Sequence, residues 1–184
     1  MKTLLVILLF AACQVGAQPA QVILFRHAEK PEDQAEVHLS PRGQDRARAL
    51  VSLLGRRSRF TTNAPVAALY ATRITKHEHS YRTGETLAPL SQELGLPVNT
   101  RFGTDDYGLL ARSVLSQPAY RGKTVVICWT HHNIAELAEA LGVKNPPPPW
   151  KDAVFDRLWL ITFGKSGAVL RDLPQRLLAG DSKR

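Results

Sequence analysis

Short apolar runs alternate with amphipathic segments along the chain, and this alternation predicts where strands and helices lie. Three runs have the apolar, β-rich composition of strands buried on both faces of a sheet: Gln21–Phe25, Val66–Ala71 and Thr124–Trp129. Three segments have apolar residues at helical spacing and end at a glycine: 41–54, Thr83–Leu94 and Ile134–Leu141. Strands that alternate with helices predict a three-layer α/β/α fold with a mostly parallel central sheet, to which Pro97–Phe102 adds a shorter strand.

The C-terminal third departs from this alternation. Two apolar runs, Leu158–Phe163 and Ala168–Leu173, flank a Gly-Lys-Ser-Gly turn and predict a C-terminal β-hairpin. Before them, four consecutive prolines at 146–149 exclude a helix or a central strand. We expect this segment to be stiff and extended, and to form part of a pocket wall near Trp150.

The N-terminal 17 residues have the organisation of a secretory signal peptide. Lys2 gives a positive start, Leu4 to Phe10 are continuously apolar, and Val15-Gly16-Ala17 fits a cleavage site. We therefore expect an exported protein, periplasmic or secreted, with a single domain at 18–184. A lipid anchor at Cys13 is an alternative, although Phe10 is unusual in such a motif.

The charge of the chain is strongly positive, at +8. Its basic residues are scattered and no aromatic residues interleave with them, so the sequence does not predict nucleic-acid binding. A positive field would instead attract a phosphorylated substrate. The chain has two cysteines, and signal removal would leave only Cys128, in an apolar strand where a thiol is inert.

A polar cluster follows each of the three predicted strands: Arg26-His27-Ala28-Glu29, Arg82-Thr83-Gly84-Glu85-Thr86 and Thr130-His131-His132-Asn133. The second is reached through a polar loop and opens a helix, and the third lies just before one. The carboxyl ends of parallel strands meet at one edge of a sheet, so these clusters should converge there. A neutral imidazole can attack phosphorus, and arginine guanidinium groups match the geometry of phosphoryl oxygens. Two histidines and two arginines at one edge therefore predict a phosphoryl-transfer site.

The first cluster resembles the Arg-His-x-Glu/Gly signature of the histidine phosphatase superfamily, which is related to the phosphoglycerate mutases. Four further segments resemble family motifs in the same order: Leu39 to Gln44, Leu69 to Thr72, Arg82 to Thr86, and Val125 to His131. The resemblance implies a phosphoglycerate mutase-like fold with His27 as the phosphorylated nucleophile. It also implies that Arg26, Arg82 and His131 bind phosphate, with no metal or cofactor.

The proton donor is the position at which the chain departs most from this family. Many members supply a glutamate between the second and fourth strands, but Leu96 to Lys123 contains none. Asp105 and Asp106 are the nearest candidates, although an aspartate pair before a helix is also typical of a cap. Glu29 is a second choice, and a role in orienting the pocket suits it better.

Two other departures concern the phosphate ligands. Ten positions separate Thr72 from Arg82, a longer spacing than the family motif has, which makes Arg73 and Lys76 rivals to Arg82. His132 stands where the family usually has glycine. The histidines at 77, 79, 131 and 132 also raise the possibility of a zinc site, which their spacing does not favour.

The resulting prediction is a metal-independent phosphatase that hydrolyses small phosphomonoesters through a phosphohistidine on His27. Two alternatives stay open: a non-catalytic phosphate- or phospholigand-binding module of the same fold, and a mutase-like phosphotransferase. Sugar phosphates, nucleotides, phytate-like polyanions and phosphoproteins are all compatible ligands.

Overall fold

The computed structural model describes residues 18–33, 35–58, 60–76 and 79–183. In this part of the chain six strands form one sheet: β1 (Gln21–Arg26), β2 (Val66–Tyr70), β3 (Val98–Asn99), β4 (Thr124–Trp129), β5 (Arg157–Gly164) and β6 (Gly167–Pro174). Four α-helices surround it: α1 (Pro41–Leu54), α2 (Arg82–Leu94), α3 (Tyr107–Ser116) and α4 (Ile134–Ala140). Short 3₁₀ turns lie at Thr104–Asp106, Pro118–Tyr120 and His131–Asn133.

The sheet has the strand order β3-β2-β4-β1-β5-β6 and separates two apolar layers. Leu50 of α1 and Leu87 of α2 pack on one face, whereas Leu110 of α3 and Leu137 of α4 pack on the other. Strand β4 is buried along its whole length because helices cover both of its faces. The predicted three-layer α/β/α fold is confirmed.

Parallel pairing links the four strands on one side of the sheet, and the last two strands are antiparallel. Strand β4 pairs in parallel with both β1 and β2, and β2 pairs in parallel with β3. Strand β5 runs antiparallel to β1 and forms the predicted C-terminal hairpin with β6. The antiparallel direction brings the segment before β5 to the edge where β1 ends.

Strand β3 is shorter than the sequence predicts. The side-chain oxygen of Asn99 accepts a hydrogen bond from the backbone N–H of Arg101 (3.0 Å), which turns the chain after two paired residues. The predicted signal peptide and Cys13 lie outside the described residues. Among the helices that the structure describes, none is both long and apolar enough to cross a bilayer.

The N-terminus of α1 packs closely against the loop that follows β1. Ser40 caps the helix by accepting a hydrogen bond from the Gly43 backbone N–H (3.1 Å), and Pro41 begins it. A Cβ atom at Gly43 would lie 2.3 Å from the backbone oxygen of Glu29. The glycine in the Leu-Ser-x-x-Gly segment is therefore required by this approach of helix and loop.

A buried ionic network fixes the C-terminal segment to the same loop. The guanidinium of Arg46, whose side chain is only 2% exposed, bonds the carboxylates of Glu29 and Asp181 at 2.8 Å each. Burial opposes the ionisation of Asp181, but hydrogen bonds from Arg46 and from two backbone N–H groups lower its pKa to about 2. The network therefore joins α1, the loop after His27 and the C-terminal residues.

Replacing Gly43 with alanine should destabilise the protein by roughly 2 kcal/mol or more, because the new methyl group meets backbone rather than a movable side chain. Gly84→Ala, in the first turn of α2, is the matched control, since its added Cβ has no atom within 4 Å. This control should be neutral or stabilise by up to about 1 kcal/mol. Urea unfolding of the two variants measures both effects, and equal stability would contradict the packing described at Gly43.

Candidate active site

Neighbouring parallel strands bring His27 and His131 to one edge of the sheet. Strands β1 and β4 are paired so that Arg26 lies opposite Trp129, and one histidine follows shortly after each of these strand ends. His27 is 7% exposed, and its ring lies 5.9 Å from that of Phe155. The convergence predicted for the first and third polar clusters is therefore present in the fold.

The protonation state of His27 is fixed by its own loop. Its Nδ1 lies 2.7 Å from the carbonyl oxygen of Ala28, and a carbonyl can only accept, so Nδ1 carries the hydrogen. The lone pair is then on Nε2. Burial is the largest cause that lowers the pKa of His27 to about 3; the bond to Ala28 opposes the change, while Arg26, Arg82 and His131 add to it. The ring is thus a neutral base near neutral pH.

Arg26 is held under the segment that leads into β5. Its Nη1 donates to the carbonyl oxygens of Lys151, Asp152 and Val154 at 3.3, 2.9 and 3.1 Å. The guanidinium also lies 4.1 Å from the centre of the Phe155 ring. Among the described residues its buried Nε has no hydrogen-bond partner. Burial is the main cause that lowers the pKa of Arg26, to about 10, so the side chain stays cationic at neutral pH.

Arg82 begins α2 and is oriented by the loop that precedes α1. Its Nε donates to the carbonyl oxygen of His38 (3.1 Å), and its Nη2 donates to that of Glu36. The imidazole of His38 bonds Glu85, which also accepts from the backbone N–H of Leu39, so the loop is fixed to the first turn of α2. Arg82 is close enough to lower the pKa of His27.

Thr86, one turn after Arg82, explains why the Arg-x-x-x-Thr spacing suits this site. Its hydroxyl accepts from the backbone N–H of Ala28 (2.9 Å) and donates to the carbonyl oxygen of Arg82 (2.6 Å). One side chain therefore braces the loop after β1 against the helix that begins with Arg82.

The two rival cations are both exposed. The guanidinium of Arg73 donates to the carbonyl oxygen of Arg101 (3.2 Å) and to the carboxylate of Asp106 (3.4 Å). Lys76 is exposed. Arg82, in contrast, is close enough to His27 to lower its pKa, and its role as the second phosphate-binding arginine stays a prediction.

His131 contacts both a cation and a carboxylate. Its Nδ1 lies 3.4 Å from Nη2 of Arg26, and its Nε2 lies 2.7 Å from Oδ1 of Asp152. Burial is the main cause that lowers its pKa, followed by the charge of Arg26. The ring of His132 is 3.9 Å away, so the residue in the family's glycine position packs beside His131.

The carboxylates predicted as proton donors occupy different surroundings. Asp106 accepts from the backbone N–H of Gly103 (2.8 Å) and from Arg73, whereas exposed Asp105 accepts from the side chain of Asn133 (3.3 Å). Asp105 therefore lies beside the 3₁₀ turn that begins at His131. Glu29 is buried and bonded to Arg46 and Arg42, which suits the predicted orienting role better than proton transfer. Each of these roles stays a prediction.

Two residues at the site were not singled out by the sequence. Asp152 and Phe155 lie just after the proline run, which was expected to form a pocket wall, and that position is their one sequence signal. Within the ranges that the structure describes, no three potential metal ligands come together. His77 of the possible zinc site lies outside those ranges.

Because the pKa of His27 is lowered, the stability of the fold should depend on pH, and this can be tested without an activity assay. Between pH 6.5 and about 3 the unfolded chain binds a proton at His27 that the folded chain does not, so the free energy of unfolding falls as the pH falls. His27→Asn removes this term. We expect the wild type to lose up to about 1.4 kcal/mol per pH unit more than the variant across this window. Urea titrations at pH 6.5 to 4.5 measure the free energy of unfolding of both proteins. If the two free energies change in parallel with pH, the buried neutral imidazole is ruled out.

Comparison with known proteins gives structural matches alone. No protein-family model and no curated protein sequence matches the chain. A mycobacterial glucosyl-3-phosphoglycerate phosphatase, solved with inorganic phosphate, superposes with a TM-score of 0.54 at 16% identity, covering 84% of this chain and 95% of that one. An Escherichia coli K-12 protein whose proposed activity is α-ribazole-5′-P phosphatase superposes with a TM-score of 0.56 at 14% identity, covering 88% of this chain and 99% of that one. This chain thus has the fold of these two proteins, as its resemblance to the histidine phosphatases led us to expect.

Proposed function

We propose that this protein is a histidine phosphatase that hydrolyses small phosphomonoesters through a phosphohistidine on His27. The observation that supports this most directly is the state of His27. Its hydrogen is held on Nδ1 by the Ala28 carbonyl, its Nε2 lone pair is available, and Arg26 and Arg82 lie nearby. A buried neutral imidazole among cations suits attack on an anionic phosphoryl group.

The reaction would proceed in two displacements. In the first, Nε2 of His27 forms a bond to phosphorus while the ester P–O bond breaks, and the leaving oxygen takes a proton from an acid. In the second, water attacks phosphorus and gives a proton to the conjugate base of that acid, the P–N bond breaks, inorganic phosphate is released, and the neutral imidazole and the acid are regenerated. As the imidazole becomes cationic in the first step, the Ala28 carbonyl stabilises the charge on Nδ1–H.

The two arginines would bind the phosphoryl oxygens. Arg26 is fixed by three carbonyl groups and Arg82 by two, so neither guanidinium has to be ordered when substrate binds. The buried Nε of Arg26, which has no hydrogen-bond partner among the described residues, is a further donor at this site. The phosphatase activities named for the two structural neighbours agree with this assignment. Export by the predicted signal peptide is part of the same proposal.

A second candidate, a non-catalytic phosphate-binding module, is favoured by the surroundings of the carboxylates. Asp106 is engaged by Gly103 and Arg73, and Glu29 by Arg46. A pocket without an acid would bind phosphate and release no alcohol. Turnover distinguishes the two functions.

His27→Ala should abolish hydrolysis of p-nitrophenyl phosphate, with a loss of at least about 10³-fold in kcat, because it removes the imidazole proposed to form the covalent intermediate. Wild-type turnover should be unchanged by a chelator. The assay compares both proteins with and without EDTA, and acid-quenched samples are probed for phosphohistidine. Phosphate binding without turnover in the wild type would establish the binding module instead.

The proton donor can be tested by matching the leaving group to the variant. Asp105→Asn and Asp106→Asn should each be compared on an alkyl phosphate and on p-nitrophenyl phosphate. The variant that lacks the true donor should hydrolyse the alkyl ester roughly 10²-fold more slowly than the wild type, because the departing alkoxide needs a proton. Its rate on the nitrophenyl ester should fall much less. Rates that stay at the wild-type level for both variants on both esters would exclude both aspartates.

A further inference from the structure

Asp152 contacts two of the proposed phosphate-binding residues, using different parts of the same residue. Its backbone carbonyl accepts from Nη1 of Arg26 at 2.9 Å, and its side-chain Oδ1 lies 2.7 Å from Nε2 of His131. The side chain is otherwise 76% exposed. The carboxylate is therefore not buried by packing, and it contacts the second histidine directly.

The segment that holds Asp152 is fixed at both ends. On one side the four prolines restrict the backbone, and Trp150 packs on Trp159 at 4.7 Å and donates to Asp172 at 3.2 Å. On the other side Phe155 lies against Arg26, and its carbonyl accepts from the side chain of Gln175. The position of Asp152 beside His131 is thus set by its surroundings rather than by a free loop.

The contacts of His131 define where its protons must be. A carboxylate accepts, so Nε2 carries a hydrogen that it donates to Asp152. In the neutral ring the lone pair is then on Nδ1, facing Nη2 of Arg26 at 3.4 Å. Two nitrogens at this separation can both lie at about 2.8 Å from a single oxygen atom. A phosphoryl oxygen placed there would receive a hydrogen bond from His131 only if Nδ1 were also protonated.

We propose that Asp152 is a positioning residue of this site: it orients His131 and stabilises the imidazolium form that donates Nδ1–H to the phosphoryl group. The inference rests on the function proposed above. An aspartate that accepts from one imidazole nitrogen fixes the ring and supports its cation while the other nitrogen acts. No proton leaves Asp152 in this role, and the second proton of His131 comes from solvent as the phosphate dianion binds.

Charged groups on the surrounding elements affect the protonation of His131. Arg26 from β1 and His132 from its own 3₁₀ turn disfavour the imidazolium, and Asp152 favours it. The ring of His131 in turn acts on His27. Lys30, from the loop after β1, acts on Asp152. Among these groups Asp152 is the anion, and a phosphoryl dianion would add a second.

The test is Asp152→Asn, which keeps an oxygen acceptor for Nε2–H and removes the charge. Asp45→Asn is the matched control, because Asp45 pairs with Arg48 on an exposed face of α1. The pKa of His131 is measured by imidazole NMR with and without inorganic phosphate, its signals being assigned by comparison with His131→Gln. We expect Asp152→Asn to lower this pKa by about 0.5 to 1 unit, and Asp45→Asn to leave it unchanged.

The kinetic readout is the pH profile of kcat/KM on p-nitrophenyl phosphate. The alkaline limb of Asp152→Asn should move to lower pH by the same amount as the NMR pKa, and the double variant with His131→Gln should be no slower than His131→Gln alone. An unshifted NMR pKa, or an equal loss at every pH, overturns the proposal. Absence of wild-type turnover would refute the phosphatase instead, while the NMR titration would still decide the role of Asp152.

Discussion

The burial of Arg26 is the constraint on which the rest of the site depends. A guanidinium that is 1% exposed must find hydrogen-bond acceptors inside the protein. Here the acceptors are three carbonyls of the 151–154 segment, and the ring of Phe155 covers the cation. That segment therefore cannot move away from β1 without leaving a buried charge unpaired. The same segment also places Asp152 beside His131. The cation at the end of β1 therefore organises the second histidine as well as the first.

The loop after β1 is braced independently from two other directions. Thr86 of α2 holds the backbone of Ala28, and the close approach of Gly43 places α1 against Glu29. Arg46 then connects Glu29 to the C-terminal segment through Asp181. His27 is thus held by helices packed on the sheet rather than by its own local conformation. The role proposed for His27 requires this rigidity, because its lone pair must meet phosphorus in one orientation.

Much of the fold followed from local patterns, and the exceptions have identifiable physical causes. The bounds of α1 and β4 match the prediction because Ser40-Pro41 is a strong helix start and β4 is continuously apolar. The strand at 97–102 is shortened by the side-chain turn of Asn99. Within the site, the order of the family motifs along the chain was enough to identify Arg26, His27, Arg82 and His131 as candidates. The long spacing before Arg82 left Arg73 as an alternative to Arg82. The contact of Arg73 with Asp106, seen only in the structure, distinguishes the two arginines.

The sequence by itself determined the alternation of strands and helices and the reactive residues at the strand ends. It did so because burial on both faces of a sheet and helical periodicity are written locally. Only the tertiary structure decided that β5 runs antiparallel to β1, which turns the residues after the proline run toward the edge where β1 and β4 end. Asp152 and Phe155 have no motif, and their contacts with His131 and Arg26 join positions far apart in the chain. Strand direction and long-range pairing depend on the packing of the whole sheet, so no local pattern contains them.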